Sequence, residues 1–194
     1  NYSGSIIRTF KILKSIEECT ISGIENRLYT GSEQLQNLTV KDGDKQLEEG
    51  TDFTVSYSNH INAGTASVVI EGINDYYGTL TYNFAIRIPD ISGFKVINRG
   101  TTFQKLSWNK VNHATGYQIF NGSSIVKTVM GSNSTSASIT GLKPGCGYTF
   151  SIRPFVKDSV GVYYGKQSDI LSTPTIPEDG KITKITKKKR SCTV

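Results

Sequence analysis

The residues best suited to catalysis are few in this sequence and lie far apart. The two histidines, His60 and His113, fall in predicted loops of different modules, and neither is paired with a serine or cysteine as a nucleophile would require. Two Ser-x-x-Lys matches occur at 92–95 and 124–127. That motif works on a helix, where positions three apart share a face, whereas on a strand the two side chains point to opposite sides. We therefore predict no catalytic residues and no enzyme activity.

Three carboxylates could hold a cation. Asp42, Asp44 and Asp52 carry the hard oxygen ligands that Ca²⁺ prefers. Acids that flank Gly43 are, however, also what a hairpin turn favours. We adopt the hairpin interpretation and predict no metal and no cofactor.

The cysteines do not form a recognisable framework. Cys19, Cys146 and Cys192 fall in three different segments, and no Cys-x-x-Cys or Cys/His cluster supports zinc. An odd count without a pair inside one module argues against structural disulfides. We expect all three thiols to be unpaired.

Two pairs of adjacent tyrosines are the candidate ligand contacts. Tyr76 and Tyr77 lie beside one turn, and Tyr163 and Tyr164 lie beside another. Neighbouring strand residues face opposite ways, so one ring of each pair should be in the core and the other outside. An outward tyrosine next to polar loops can stack on a sugar ring or a peptide. It can also cover the junction with the next domain, and we favour this second role.

Alternating apolar residues predict short antiparallel strands along most of the chain. Phe53, Val55 and Tyr57 would share one face, and Phe84 lies in a similar alternating run at 80–86. No segment has convincing helical periodicity. The sequence thus predicts an all-β protein with Phe53, Tyr57 and Phe84 in the core of a first module at 15–88. Turn-forming residues separate its strands at 41–45, 48–52, 58–65 and 71–78.

An ordered series of short motifs marks the first module. They are Y-T-G at 29–31, G-T-D-F at 50–53, S-Y-S-N at 56–59, G-T-A at 64–66, N-D-Y-Y-G-T at 74–79 and F-A-I at 84–86. The series resembles the tandem Ig-like repeats of large surface proteins in Gram-positive bacteria. His60 stands where that family usually has Asn. The resemblance implies an Ig-like β-sandwich and an extracellular location, at the cell wall or cell surface.

A second set of motifs lies further along. Trp108 stands in QKLSWNKV, Tyr117 in ATGYQIF, and Leu142 and Tyr148 in GLKPGCGYTFSIRPF at 141–155. These segments resemble a fibronectin type III domain over residues 91–175. The resemblance implies a second sandwich with Trp108 and Tyr117 in its core. It also implies a tyrosine corner at Leu142 and Tyr148, in which the phenol pins the preceding loop.

The module boundaries follow from these two resemblances. We assign 15–88 to the Ig-like repeat and 89–176 to the fibronectin type III domain. The connection IRIPDISGF at 86–94 is short, which implies restricted hinging and an elongated arrangement of the two sandwiches.

We predict that both ends of the chain belong to further modules. Residues 1–12 repeat the pattern of 75–86, so we interpret 1–14 as the last strand of a preceding repeat. Ile6, Phe10 and Ile12 would then lack their own core, and the strand should either fray or pair with a sheet edge. We interpret 177–194 as the start of another fibronectin-type module or as a linker.

The charge and the hydropathy exclude two classes of partner. Of 22 basic residues, six lie in 181–194, and the other 16 balance the 16 acidic residues. A nucleic-acid-binding protein normally has a basic face across a folded domain, so we predict no nucleic-acid partner. No apolar run approaches the length of a membrane span, so we predict no membrane insertion for this sequence.

Taken together, the sequence predicts non-catalytic spacer or adhesion modules of a secreted, multi-domain bacterial surface protein. Its expected partners are a host matrix protein or a glycan, together with the neighbouring modules of the same chain. The alternative is an accessory carbohydrate-binding or linker part of a secreted glycoside hydrolase or peptidase. A catalytic domain elsewhere in the parent protein would favour the alternative.

Overall fold

A computed structural model describes residues 6–8 and 10–179 of the chain. These residues form two groups of β-strands, and a single turn of 3₁₀ helix at Ile16–Glu18 is the exception. That turn begins at Ser15, whose hydroxyl accepts the backbone N–H of Glu17. The all-β class predicted from the sequence is confirmed.

The first module is a sandwich of a three-stranded and a four-stranded sheet. The three-stranded sheet has the order β2-β4-β5 and the four-stranded sheet has the order β3-β9-β7-β6, while β1 and β8 form a separate parallel pair. Its strands are β1 (Lys14–Ser15), β2 (Thr20–Ser22), β3 (Arg27–Leu28), β4 (Thr39–Asp42), β5 (Lys45–Gln46), β6 (Phe53–Ser58), β7 (Gly64–Gly72), β8 (Tyr76–Tyr77) and β9 (Thr79–Arg87).

The core of the first module follows the alternation seen in the sequence. Phe53 on β6 and Phe84 on β9 are buried, whereas Tyr57 is half-buried. The Tyr57 hydroxyl accepts the backbone N–H of Gln36 at 3.0 Å, so the polar end of this ring has a partner. The other buried apolar side chains of this module include Ile16, Val40, Leu47, Ala66, Val68, Ile70, Tyr76 and Ile86.

One turn of the first module requires glycine at two places. Gly78, between β8 and β9, has φ of +95°, a conformation that a residue with a side chain rarely adopts. At Gly72, a Cβ atom would lie 2.9 Å from the backbone nitrogen of Tyr77. The two glycines let the 73–77 segment fold back tightly and place both tyrosines of the first pair on β8.

The second module is a sandwich of a three-stranded and a five-stranded sheet. The smaller sheet has the order β10-β11-β14, and the larger has the order β13-β12-β15, with β16 and β17 both pairing to β15. Immunoglobulin-type and fibronectin-type sandwiches share this architecture. The strands are β10 (Lys95–Arg99), β11 (Phe103–Ser107), β12 (Gly116–Asn121), β13 (Ser124–Met130), β14 (Ser136–Thr140), β15 (Gly147–Lys157), β16 (Val162–Tyr164) and β17 (Leu171–Pro174).

Two aromatic rings form the centre of the second core. Trp108 and Tyr117 are both buried, and their ring centroids lie 5.2 Å apart with an interplanar angle of 58°. The Tyr117 hydroxyl accepts the N–H of Val111 and donates to the carbonyl of Ser132, each at 2.9 Å. The polar end of this buried ring is thereby satisfied while the ring itself packs against Trp108.

Leu142 and Tyr148 are half-buried against the same core. The Tyr148 hydroxyl accepts the backbone N–H of Lys143 at 2.7 Å. The phenol therefore holds the loop that precedes β15.

The two ends of the chain contribute no long strand to the described structure. Ile6, Phe10 and Ile12 are at least 80% exposed, and only from Lys14 does the chain pair, with β8. The predicted terminal strand at 1–14 lies partly outside the described residues, as does most of the predicted segment 177–194, including Cys192. Within the described part of the chain, no helix has the length and apolar character needed to cross a bilayer.

Candidate functional site

The two modules meet end to end. In the first module the sheet end where Gly64 pairs with Ile86 lies beside Tyr163, Tyr164 and Gly165 of the second module. Ile88 directly follows β9, is only 5% exposed, and lies in the core cluster of the second module. The modules are therefore joined by shared apolar packing as well as by the connecting chain.

Glycine on the second module makes this close approach feasible. A Cβ atom at Gly165 would lie 3.2 Å from Cγ2 of Ile88 and 2.7 Å from Cγ of Pro154. The contact with Pro154 would force the segment that follows β16 to shift, and the contact with Ile88 would be tighter than side-chain carbons normally make. The absence of a side chain at Gly165 thus leaves room for both Pro154 and Ile88.

A second contact across the junction involves two rings. Tyr29 of the first module packs edge-to-face on His113 of the second, with centroids 6.4 Å apart and an interplanar angle of 88°. The backbone N–H of Tyr29 donates to the carbonyl of Arg87 at 2.8 Å, which fixes Tyr29 to the end of β9. Tyr29 also packs against the core clusters of both modules. It therefore supports the junction independently of Ile88.

An open groove of about 770 Å³ lies at this junction. Its volume is within the usual range for ligand sites, which often form where domains meet. Apolar side chains form much of its surface, and the exposed charges on it are Arg87, Asp90 and Lys166. The residues that line the groove include Leu28, Ile86, Arg87, Asp90, Tyr164 and Lys166.

Tyr164 is held in place within the wall of this groove. The guanidinium carbon of Arg153 lies 3.9 Å from the centre of the Tyr164 ring and 5.1 Å from that of Phe120. Gln118 Oε1 accepts hydrogen bonds from Nε and Nη2 of Arg153, at 3.0 and 2.8 Å. Arg153 is thereby oriented, and its flat group covers part of the tyrosine ring. Tyr164 keeps 49% of its surface exposed.

The other tyrosine pair lies at the opposite end of the first module. Tyr76 is buried and its hydroxyl donates to Oδ2 of Asp42 at 3.0 Å, so a ligand could reach only Tyr77, which is 53% exposed. Burial, and then the Asp42 carboxylate, raise the pKa of Tyr76. The ammonium of Lys14, followed by the Tyr76 hydroxyl, lowers the pKa of Asp42.

The two tyrosine pairs are therefore separate, and one ring of each pair is more exposed than the other. Tyr163 is half-buried and packs against the core of the second module, while Tyr164 is exposed. Tyr163 and Tyr164 both line the junction groove. Sequence reasoning placed these rings beside a turn but missed Tyr29, Ile88 and Arg153, whose roles depend on contacts between distant segments.

The remaining candidate residues do not come together in a common site. Asp42 pairs with Lys14, and Asp52 accepts the backbone N–H of Glu48 at 3.0 Å, so these carboxylates serve local structure. Within 6–8 and 10–179, no three His, Cys, Asp or Glu side chains gather as a metal site would require. The two described cysteines, at positions 19 and 146, are free thiols.

Comparison with known proteins gives limited matches. No protein-family model matches the chain. The Kelch domain-containing protein SSO1033 of Saccharolobus solfataricus is 30% identical over 109 residues, which span 55% of this chain and 14% of that protein. The match therefore covers a small part of that relative.

Solved structures similar to the chain include fibronectin type III domains. The FN1–FN3 domains of chicken CNTN1 have 17% identity and a TM-score of 0.39, over 88% of this chain and 70% of that one. A fibronectin type III domain from human KIAA0970 protein has 14% identity and a TM-score of 0.39, over 54% of this chain and 88% of that one. A family 28 exopolygalacturonase from Yersinia enterocolitica has 14% identity and a TM-score of 0.39, over 46% of this chain and 21% of that one.

The fold and the junction define a class of protein. The facing sheets, the buried Trp108 and Tyr117, and the Tyr148 hydrogen bond make the second module a fibronectin-type sandwich. The first module is a second β-sandwich packed against its end.

Proposed function

We propose that this chain is a pair of non-catalytic spacer modules from a secreted, multi-domain bacterial surface protein. In this proposal the first module is an Ig-like surface repeat, and the protein lies outside the cell, at the cell wall or cell surface. The observation that carries the proposal is the burial of Ile88, from the end of the first module, in the core of the second.

A spacer must hold the domains attached to its two ends at a defined distance and orientation. Two modules joined only by a flexible connection would hinge, since interfaces within a chain are commonly small. Here Ile88 and the Tyr29–His113 contact resist bending at two places on the junction. Any domain attached beyond either end would keep a fixed orientation relative to the other.

Adhesion is the second part of the proposal, with a glycan or a host matrix protein as partner. The junction groove and the exposed ring of Tyr164 support it, because they offer a ligand an apolar surface rimmed by charges. The same groove also supports the alternative, an accessory carbohydrate-binding part of a secreted glycoside hydrolase or peptidase. The domains encoded beside these modules in the parent gene would distinguish the two.

Small-angle X-ray scattering on the chain tests the spacer role. We expect a distance distribution of an elongated particle that changes little with temperature below unfolding. As a control, a flexible Gly-Ser insertion after Asp90 should broaden the distribution by releasing the junction. A compact profile with the modules side by side, or an unchanged profile after the insertion, would count against the proposal.

A further inference from the structure

We propose that the junction groove binds an acidic oligosaccharide, one whose sugar rings carry carboxylates. This inference deepens the adhesion part of the proposed function and rests on the end-to-end packing of the modules. Three features of the groove support it: a ring that can contact a sugar face, charges that can contact its carboxylates, and a β9 backbone whose polar groups are already paired.

Tyr164 provides the apolar contact. The exposed part of its ring can stack against the C–H face of a pyranose, because the ring is flat and weakly hydrated. The Arg153 guanidinium at 3.9 Å covers part of the ring and is itself held by Gln118. The ring is thereby ordered before a ligand arrives, which reduces the entropy lost on binding.

The charges of the groove favour a negative ligand. Arg87 and Lys166 are exposed on its surface, and neither makes a salt bridge with another described residue. Asp90 is the carboxylate among the groove residues, and Arg153 adds a further positive charge behind Tyr164. A uronate ring projects its carboxylate from the ring edge, so stacking on Tyr164 leaves the carboxylate free to pair with these cations.

The backbone at the end of β9 disfavours strand addition by an extended peptide on that side of the groove. Ile86 pairs with Gly64 of β7 on one side and with Arg27 of β3 on the other. The carbonyl of Arg87 accepts the N–H of Tyr29. Strand addition needs free backbone groups at a sheet edge, and those of Ile86 and Arg87 are already used, whereas β16, which carries Tyr164, is an edge strand paired only with β15 among the described strands. On the β9 side of the groove, recognition therefore depends on side chains, as sugar binding does.

Isothermal titration calorimetry with hexagalacturonic acid tests the proposal. We expect saturable binding that weakens with added salt. Tyr164→Ala should weaken it at least about tenfold, and Tyr164→Phe, which keeps the ring, should stay within about twofold. The double substitution Arg87→Gln with Lys166→Gln should weaken binding and reduce its salt dependence. Tyr77→Ala removes an equally exposed tyrosine at the other end of the first module and should leave affinity unchanged.

Several outcomes would overturn the proposal. No saturable binding of oligogalacturonate, hyaluronan or alginate oligosaccharides would do so, as would equal affinity of Tyr164→Ala and the unmodified chain. Equal affinity for neutral cellohexaose would contradict the role given to Arg87 and Lys166. Equal affinity for hexaglutamate would indicate an acidic peptide as the ligand. Thermal unfolding of each variant shows that it is folded, and the Tyr164→Phe result does not depend on a disruptive change. Scattering without ligand tests the spacer role separately.

Discussion

Replacing Ile88 with alanine should destabilise the second module, although Ile88 belongs to the end of the first. The substitution removes three carbon atoms from a side chain that is 5% exposed. At about 0.8 kcal/mol for each buried methylene, the lost transfer free energy is about 2.5 kcal/mol. The cavity left between the modules adds to this, so we expect a loss of about 3 kcal/mol in the free energy of unfolding.

The fluorescence of Trp108 makes this prediction directly measurable. The chain has one tryptophan, and it lies in the core of the second module, so urea unfolding followed by its emission reports on that module alone. The urea concentration at the midpoint of unfolding should fall, with little change in the slope of the unfolding free energy against urea concentration. Ile97→Ala, at a position on β10 that is 48% exposed, is the matched control and should cost less than about 0.5 kcal/mol. Equal midpoints for the two variants would refute the role given to Ile88.

Three further substitutions test the cores and the opposite end of the first module. Trp108→Ala should cost about 3–5 kcal/mol as a buried large-to-small change, and an unchanged melting temperature would contradict the fibronectin-type assignment. Tyr148→Phe should cost about 1 kcal/mol through the lost hydrogen bond to the preceding loop, measured by urea unfolding. Lys14 lowers the pKa of Asp42 in the folded state. The ionised Asp42 carboxylate therefore stabilises the first module above the ordinary carboxyl pKa, and this stabilisation is lost as the pH falls through the lower folded-state pKa. Asp42→Asn should remove this acid dependence from the melting temperature of the first module, and a persisting dependence would contradict the assignment.

Much of the fold could be predicted because it depends on local patterns. Alternation at 53–57 and 80–86 correctly predicted β6 and β9, since a half-buried strand must turn every second side chain inward. Turn-forming residues likewise predicted the position of Gly78, which only glycine occupies easily. The core rings Trp108 and Tyr117 are buried at positions that the fibronectin-type motifs indicated.

The candidate site was less accessible to sequence reasoning. Whether Ile88 is buried depends on the angle at which two modules meet, and no pattern within either module encodes that angle. The stacking of Arg153 on Tyr164 depends on the pairing of β15 with β16, which places residues far apart in sequence on one face. The tyrosine pairs were visible, but only the structure shows that one pair lies at the junction and the other does not.

Residual dipolar couplings of backbone N–H groups in a weakly aligned sample test the central claim most directly, because they report the orientation of each module separately. If Ile88 and Tyr29 fix the junction, one alignment tensor should fit the couplings of strands in both modules together. Two tensors of clearly different magnitude would show that the modules reorient independently, and would contradict the fixed junction on which the proposed spacer function rests.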